Sequence, residues 1–415
     1  MESSEHNAPQ RIVKIRRDYN TWVANETLED YALRFTPHSF RKWSIFRVSN
    51  TALGAISFLV LEVIGGALAV NFGFVNAFWA ILTISLIIFL TSLPISYYAA
   101  KYGLDMDLLT RGAGFGYIGS TISSFVYATF TFILFALEAV IMAYALSMYF
   151  DLPIYIWYLI SAVVVIPLVT HGVTLISRIQ MITQPIWLFL MVLPFIFIFA
   201  KDPDAFKGLT TFAGGSGFDG GFNIYMFGTA IAIGMALIPQ VGEQVDFLRF
   251  MPEKTKNNRL RWHLGVILAG PGWIFVGMIK MFAGVLLAYL VLMGAKSVEE
   301  AVNPTYMYHV AFSYVFSNAD VLLAVTVFFV VLSQIKINIT NAYAGSLAWS
   351  NFFARLTHSH PGRVVWLLFN VLIATMLMLL DVFQALEQIL GLYSNIAISW
   401  ITAVVADLVI NKPLG

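Results

Sequence analysis

Apolar stretches separated by short polar ones follow one another from residue 50 to residue 410. They lie near 50–71, 76–99, 117–149, 154–170, 183–200, 223–247, 263–293, 319–350, 364–380 and 386–410. Each approaches the roughly 20 residues that a helix needs to cross a bilayer. The pattern predicts an all-α polytopic membrane protein with about ten transmembrane helices. Residues 1–48 read differently, as a polar, basic, cytoplasmic arm. Its apolar positions Tyr19, Trp22, Val23, Leu28, Tyr31 and Ala32 have the spacing of short amphipathic helices on the membrane face; a solvated tail is the alternative. Residues 49–410 form the transmembrane core, and 411–415 the cytoplasmic end.

The first apolar segment, SNTALGAISFLVLEVIGGALAVN, carries Glu62 at mid-depth with Gly65 and Gly66 just beyond. A charge in hydrocarbon costs at least about 2.5 kcal/mol, and adjacent glycines weaken a helix where its backbone most needs its own hydrogen bonds. The combination predicts a broken helix lining a central site. The sixth segment is interrupted in the same way by Gly234, Pro239 and Gly242, with Gln240 inside the interruption. Broken helices at matching positions of two five-helix halves point to a midplane binding site of the secondary-transporter kind. Glycine and proline placed only for close helix packing are the alternative.

Charge orients the array. Lys101, Arg111, Arg178, Arg249, Lys254, Lys256, Arg259, Arg261, Arg355, Arg363 and Lys412 fall in loops on the side of the N-terminus, and Lys201, Lys207 and Lys296 on the other. The positive-inside rule then puts both termini in the cytoplasm. Composition agrees: the chain is 59% hydrophobic and 11% charged, with mean hydropathy +0.79. A net charge of +1 argues against a nucleic-acid partner. The absence of cysteine excludes disulfides and thiolate chemistry. His6, His38, His171, His263, His309, His358 and His360 lie mostly in the tail and loops. No nucleophile–base pair and no metal-ligand cluster emerge, so neither an enzyme nor a cofactor is expected.

Within the spans stand two acids, Glu62 and Glu138, and two bases, Lys280 and Lys336. Unpaired ions would neutralise or be expelled, so at least one acid is expected to face a base. Mixed signs also argue against a channel, which would be lined by a ring of one sign. Segment 8 adds Gln334, Asn338, Thr340 and Asn341. Lys336 with Thr340, and Asn338 with Asn341, have the spacing of neighbours on one helix face. Ligand contacts or interhelical glue would both produce that strip.

Several blocks resemble the nucleobase:cation symporter-1 family, which includes cytosine permeases and hydantoin and allantoin transporters. They are YYAAKYGLDMDLLTRGAGFG after segment 2, DFLRF ending segment 6, NAYAGSLAWSN in segment 8 and VVADLVINK ending segment 10. The resemblance implies a leucine-transporter-like 5+5 inverted repeat with helices 1 and 6 broken, in a bacterial inner membrane. It also implies a small nitrogen heterocycle held between segments 1, 3, 6 and 8, stacked by aromatics and read at its edges by amides. Carried over by position, the stacking aromatic of segment 3 falls at Leu134, with Phe135 beside it, and that of segment 6 at Leu237. The edge-reading amide is Asn338, and a second polar position is Thr131. Where sodium-dependent members place hydroxyl ligands, this chain has Ile335, Lys336 and Ile337. Lys336 is therefore expected to substitute for the cation, opposite Glu62 or Glu138, and coupling to be sodium-independent. Family transporters usually continue for two more helices past this point. A transport-deficient sensory module, leading to a cytoplasmic signalling domain such as a histidine kinase beyond residue 415, is the alternative to a transporter.

Overall fold

Side chains apolar on every turn leave the backbone no water, so its polar groups are satisfied within helices. The computed structural model describes residues 28–32, 36, 38–214, 220–294, 296–380 and 386–414, and the regular elements among them are all helical. Tyr19, Trp22 and Val23 lie outside these residues. In chain order the main helices are α1 (Ile45–Gly54), α2 (Val60–Tyr102), α3 (Gly116–Tyr149), α4 (Ile154–Val163, continued by Val165–Thr170) and α5 (Val173–Lys201). The second half comprises α6 (Ile224–Gly234), α7 (Gln240–Leu248), α8 (Arg259–Ala269), α9 (Trp273–Met293), α10 (Pro304–Ser313), α11 (Ala319–Thr357), α12 (Arg363–Leu379) and α13 (Leu386–Ala406).

Seven helices are long and apolar enough to cross a membrane, and Ile154–Thr170 and Arg363–Leu379 are shorter apolar ones. One of the seven makes two passes. Val60–Tyr102 turns back at Gly73, whose φ of 77° and ψ of 164° lie outside the helical region. A Cβ at Gly73 would sit 2.9 Å from the Ala213 carbonyl oxygen, so only glycine takes this corner without strain. With that hinge the ten expected passes are all present.

Each half opens with a broken pass. The first runs α1, a short 3-10 turn Ala55–Ser57, an extended Phe58 (ψ 137°), then α2. The sixth runs α6, the turn Met235–Leu237, then α7. Around these breaks α9 lies along α2 and α11 along α3, and the two breaks touch α11 and α13 respectively.

The break in the first pass is not where glycine content places it. Gly65 and Gly66 are helical, within α2. A Cβ on Gly65 would collide with the Met281 carbonyl of α9, one on Gly66 would come within 2.6 Å of the Met307 methyl, and one on Gly284 would strike the Glu62 backbone. These glycines let α2 and α9 approach at backbone distance, the packing alternative weighed above.

Residues 28–32, 36 and 38–41 fold onto one face of the bundle, which we call the N-terminal face. Tyr31 and Ala32 are buried there, packed against protein. Three arginines fasten it. Arg41 donates to the carbonyls of Met251 and Ala100, Arg249 to Thr36 and the Tyr31 carbonyl, and Arg363 to the carbonyls of Leu28, Val169 and Thr170. Carbonyls are the acceptors that helix ends leave free. A short chain segment can therefore tie several loops together without becoming a helix.

Candidate functional site

A break in a buried helix exposes backbone N–H and C=O groups that something must satisfy. In the first pass side chains do so. Glu138 of α3 accepts the N–H of Leu59 at 3.3 Å and of Val60 at 3.4 Å, capping the start of α2 with negative charge at its positive end. Lys280 of α9 donates to the carbonyl of Ser57 at 3.3 Å. The Ser57 hydroxyl donates to the Ser333 carbonyl of α11 at 2.8 Å.

Lys280 also closes an ion pair with Glu62 Oε1 at 2.8 Å, with both side chains at most 1% exposed. Tyr308 of α10 donates to the same oxygen at 2.7 Å, and the Trp187 ring of α5 lies 5.3 Å from the ammonium. Glu62 stands in the first turn of α2, where a carboxylate is favoured by the helix dipole.

The partner of Glu62 is thus Lys280. Lys336, fully buried, donates to Gln180 Oε1 at 2.5 Å and Thr183 Oγ1 at 3.1 Å, both on α5, while Gln180 returns a bond to the Lys336 carbonyl. The expectation that Lys336 faces Glu62 or Glu138 is corrected: the side chain leaves α11 toward α5, and the ammonium on the broken stretch belongs to α9. Thr340 does lean on Lys336, but through the backbone carbonyl, at 3.4 Å.

The strip on α11 falls where its spacing predicts. Asn341 donates to Asn338 at 3.4 Å. At one end Gln334 lies beside Glu138, and at the other Gly345 lies against Thr131, whose oxygen a Cβ there would meet at 2.7 Å. The two helices therefore run antiparallel, with Thr131, Phe135 and Glu138 of α3 facing Gln334, Asn338, Asn341 and Gly345 of α11. Thr131 has its own acceptor, the Ala128 carbonyl at 2.7 Å, which removes its hydroxyl proton from ligand reading. Phe135 and Leu134 are buried. In the sixth pass Leu237 ends the turn and Gln240 opens α7, where it donates to Glu243 Oε2 at 2.8 Å.

Several buried polar atoms have no hydrogen-bond partner among the described residues. They include Asn338 Nδ2, Asn341 Oδ1, Gln240 Oε1, Glu243 Oε1 and Glu62 Oε2. A donor and an acceptor from neighbouring amides, left open together, are what a flat ligand with N–H and C=O edges would satisfy. Glu243 and Asp246, one turn apart on α7, were missed in the sequence because they follow Pro239 at the end of an apolar segment. Two acids three residues apart inside a span were the available signal.

No known protein-family model matches the chain, and no curated protein matches it by sequence. Solved structures do match. One is MHP1, a nucleobase-cation-symport-1 family transporter in a closed conformation with bromovinylhydantoin bound: 16% identity, 94% of this chain and 82% of that one, TM-score 0.66. Another is a Na+-coupled sialic acid symporter in a substrate-bound outward-open state, at 10% identity over 92% and 82%, TM-score 0.64. A third is a manganese transporter of Eremococcus coleocola, at 15% identity over 89% and 79%, TM-score 0.52. At these identities the likeness is one of fold: a leucine-transporter-like 5+5 inverted repeat.

Proposed function

We propose that this protein is a bacterial inner-membrane transporter, with the N-terminal face cytoplasmic, that binds a nucleobase-like or related small nitrogen heterocycle and moves it by alternating access. The observation that carries this reading is the unpartnered donor and acceptor of two neighbouring amides, Asn338 Nδ2 and Asn341 Oδ1, in a bundle with two broken helices. The fold is one in which a nucleobase-cation-symport-1 family transporter holds bromovinylhydantoin, which fits a heterocyclic ligand. The ring-stacking role falls to Phe135, since Leu134 and Leu237 are aliphatic. Sodium has no part in the reading, because the Lys280 ammonium already lies on the Ser57 carbonyl and on Glu62.

The test is a thermal-shift screen of purified protein against purines, pyrimidines, hydantoins and allantoin in sodium and in potassium, followed by proteoliposome uptake of any hit. Specific binding raises the melting temperature by mass action. Equal shifts in both salts, followed by uptake, support the reading. A shift that requires sodium overturns the cation assignment, and binding without uptake makes the site that of a sensory module.

A further inference from the structure

Among the described residues, the buried carboxyl groups of the membrane bundle have a cation in contact or in electrostatic reach, Glu243 excepted. Glu62 has Lys280, Asp105 has Arg249 at 3.6 Å, and Asp107 has Arg355. Glu138 has the two N–H groups at the start of α2, with Lys280 in electrostatic reach. Asp246 accepts the Tyr127 hydroxyl at 2.9 Å and has Arg249 in reach. Glu243, fully buried, has only the neutral Gln240 amide. Its Oε1 and the Oε1 of Gln240 are two acceptors with no donor among the described residues.

Charged groups on the elements around α7 are engaged elsewhere. Arg47 of α1 donates to Ser177, and Lys101 of α2 is exposed. Lys336 of α11 is held on α5 and Arg355 on Asp107. On α8, Arg259 and Arg261 are exposed and His263 half-buried. In electrostatic reach of Glu243 are the carboxyl groups of Glu138 and Asp246 and the Tyr127 hydroxyl. An ionised Glu243 would be a charge with no cation beside it in a dry interior. One proton removes that charge and supplies the donor the two acceptors lack.

We propose that Glu243 is a proton-binding site, occupied in this conformation and communicating with the N-terminal face through Asp246 and Tyr127. Those two residues line a cavity with Asp105, Asp107 and Ser124 that has room for about one water molecule. In release, the O–H bond of Glu243 breaks, an O–H bond forms on the carboxylate of Asp246, and Glu243 is left as the carboxylate. Resting on the transport reading above, the site supplies the coupling ion that sodium does not.

The test is infrared difference spectroscopy of the full chain in lipid, without ligand, near neutral pH. The wild type minus Glu243→Gln spectrum should contain a carboxylic-acid C=O band that shifts in D2O and survives in Asp246→Asn and Glu138→Gln. Only carboxylate bands in that difference, or a band lost in Glu138→Gln and kept in Glu243→Gln, overturns the proposal. Glu243→Gln copies the protonated acid and should melt at the wild-type temperature; a marked fall would show an ionised, partnered Glu243 and also overturn it. Should Glu243→Gln fail to fold, uniform 13C-glutamate labelling of the wild type decides whether a glutamic-acid band exists at all, and its absence counts against the proposal. The apo protein serves throughout, so a failed heterocycle screen leaves the result readable.

Discussion

Replacing Lys280 by methionine tests the central electrostatic argument. The substitution keeps length and bulk but deletes an ammonium 2.8 Å from Glu62 Oε1, where neither group reaches water. Breaking a buried pair from one side costs about 3–5 kcal/mol, because the surviving charge stays in a medium that cannot solvate it. The Ser57 carbonyl loses its donor as well, which adds about 1 kcal/mol. The Tyr308 hydroxyl remains on Glu62 and moderates the loss. Lys280→Met is therefore expected to lose roughly 4 kcal/mol, and adding Glu62→Gln should restore at least about 2 of them by removing the stranded charge. Lys336→Met is the control. Its ammonium touches only Gln180 and Thr183, so its removal strands no charge and costs about 1–2 kcal/mol, the loss of two hydrogen bonds. Reversible unfolding in mixed micelles measures the wild type, Lys280→Met, Glu62→Gln, their double variant and Lys336→Met. Equal losses for Lys280→Met and Lys336→Met, or additive losses in the Lys280–Glu62 double variant, would refute the pairing as a stability element.

Asn338→Ala is expected to weaken binding of any heterocycle found in the screen by about tenfold, the effect of one lost hydrogen bond of roughly 1.4 kcal/mol. The apo melting temperature should change little, because Asn338 Nδ2 has no partner to lose and Oδ1 accepts only the long 3.4 Å bond from Asn341; calorimetry and melting separate the outcomes. Gly65→Ala drives a methyl into the Met281 carbonyl and should destabilise by about 1–3 kcal/mol as α2 and α9 are forced apart. A neutral result in an unfolding assay would mean the helices are looser than described. Asp30 gives the pH response of the N-terminal face: burial raises its pKa, but His360 and the Arg363 N–H and charge lower it further, leaving the net value below the ordinary carboxylate range. A depressed carboxylate stabilises above its unfolded pKa and loses that contribution as pH falls through the folded one. Asp30→Asn should therefore flatten the acid limb of stability below about pH 4, and an unchanged limb would remove Asp30 from that role.

The passes and their matched interruptions were legible because both leave local marks. Apolar runs fix length, and Gly234, Pro239 and Gly242 bracket the break of the sixth pass. The first break was misplaced because glycine has two uses in membrane helices. At Gly65 and Gly66 it serves close approach, while the real break at Ala55–Ser57 has no second glycine beside Gly54. Periodicity found the contact of Asn338 with Asn341 because three residues separate them. It could not find Glu62 with Lys280, which are 218 residues apart. Nor could it tell which lysine leaves its helix toward α5, since side-chain direction depends on neighbours that no local pattern names.

The same physics explains why a bundle this apolar retains ions at all. An unbroken helix satisfies its own backbone, and charges near it only add cost. A broken one presents free N–H groups at one half-helix and free C=O groups at the other, and in hydrocarbon each unsatisfied group costs several kcal/mol. An acid and a base are the strongest single-side-chain remedies for the two kinds of group. Glu138 and Lys280 meet those needs in the first pass. The interrupted sixth pass is served differently: the side chains at the start of α7 are Gln240 and Glu243, paired with each other, with no base opposite. The two breaks are thus related in geometry and unequal in charge. The first is fastened by ions that compensate each other, and the second keeps an acid with only an amide beside it among the described residues. In a repeat of this kind, the side with the unbalanced group is where a proton or a ligand edge can alter the balance between conformations.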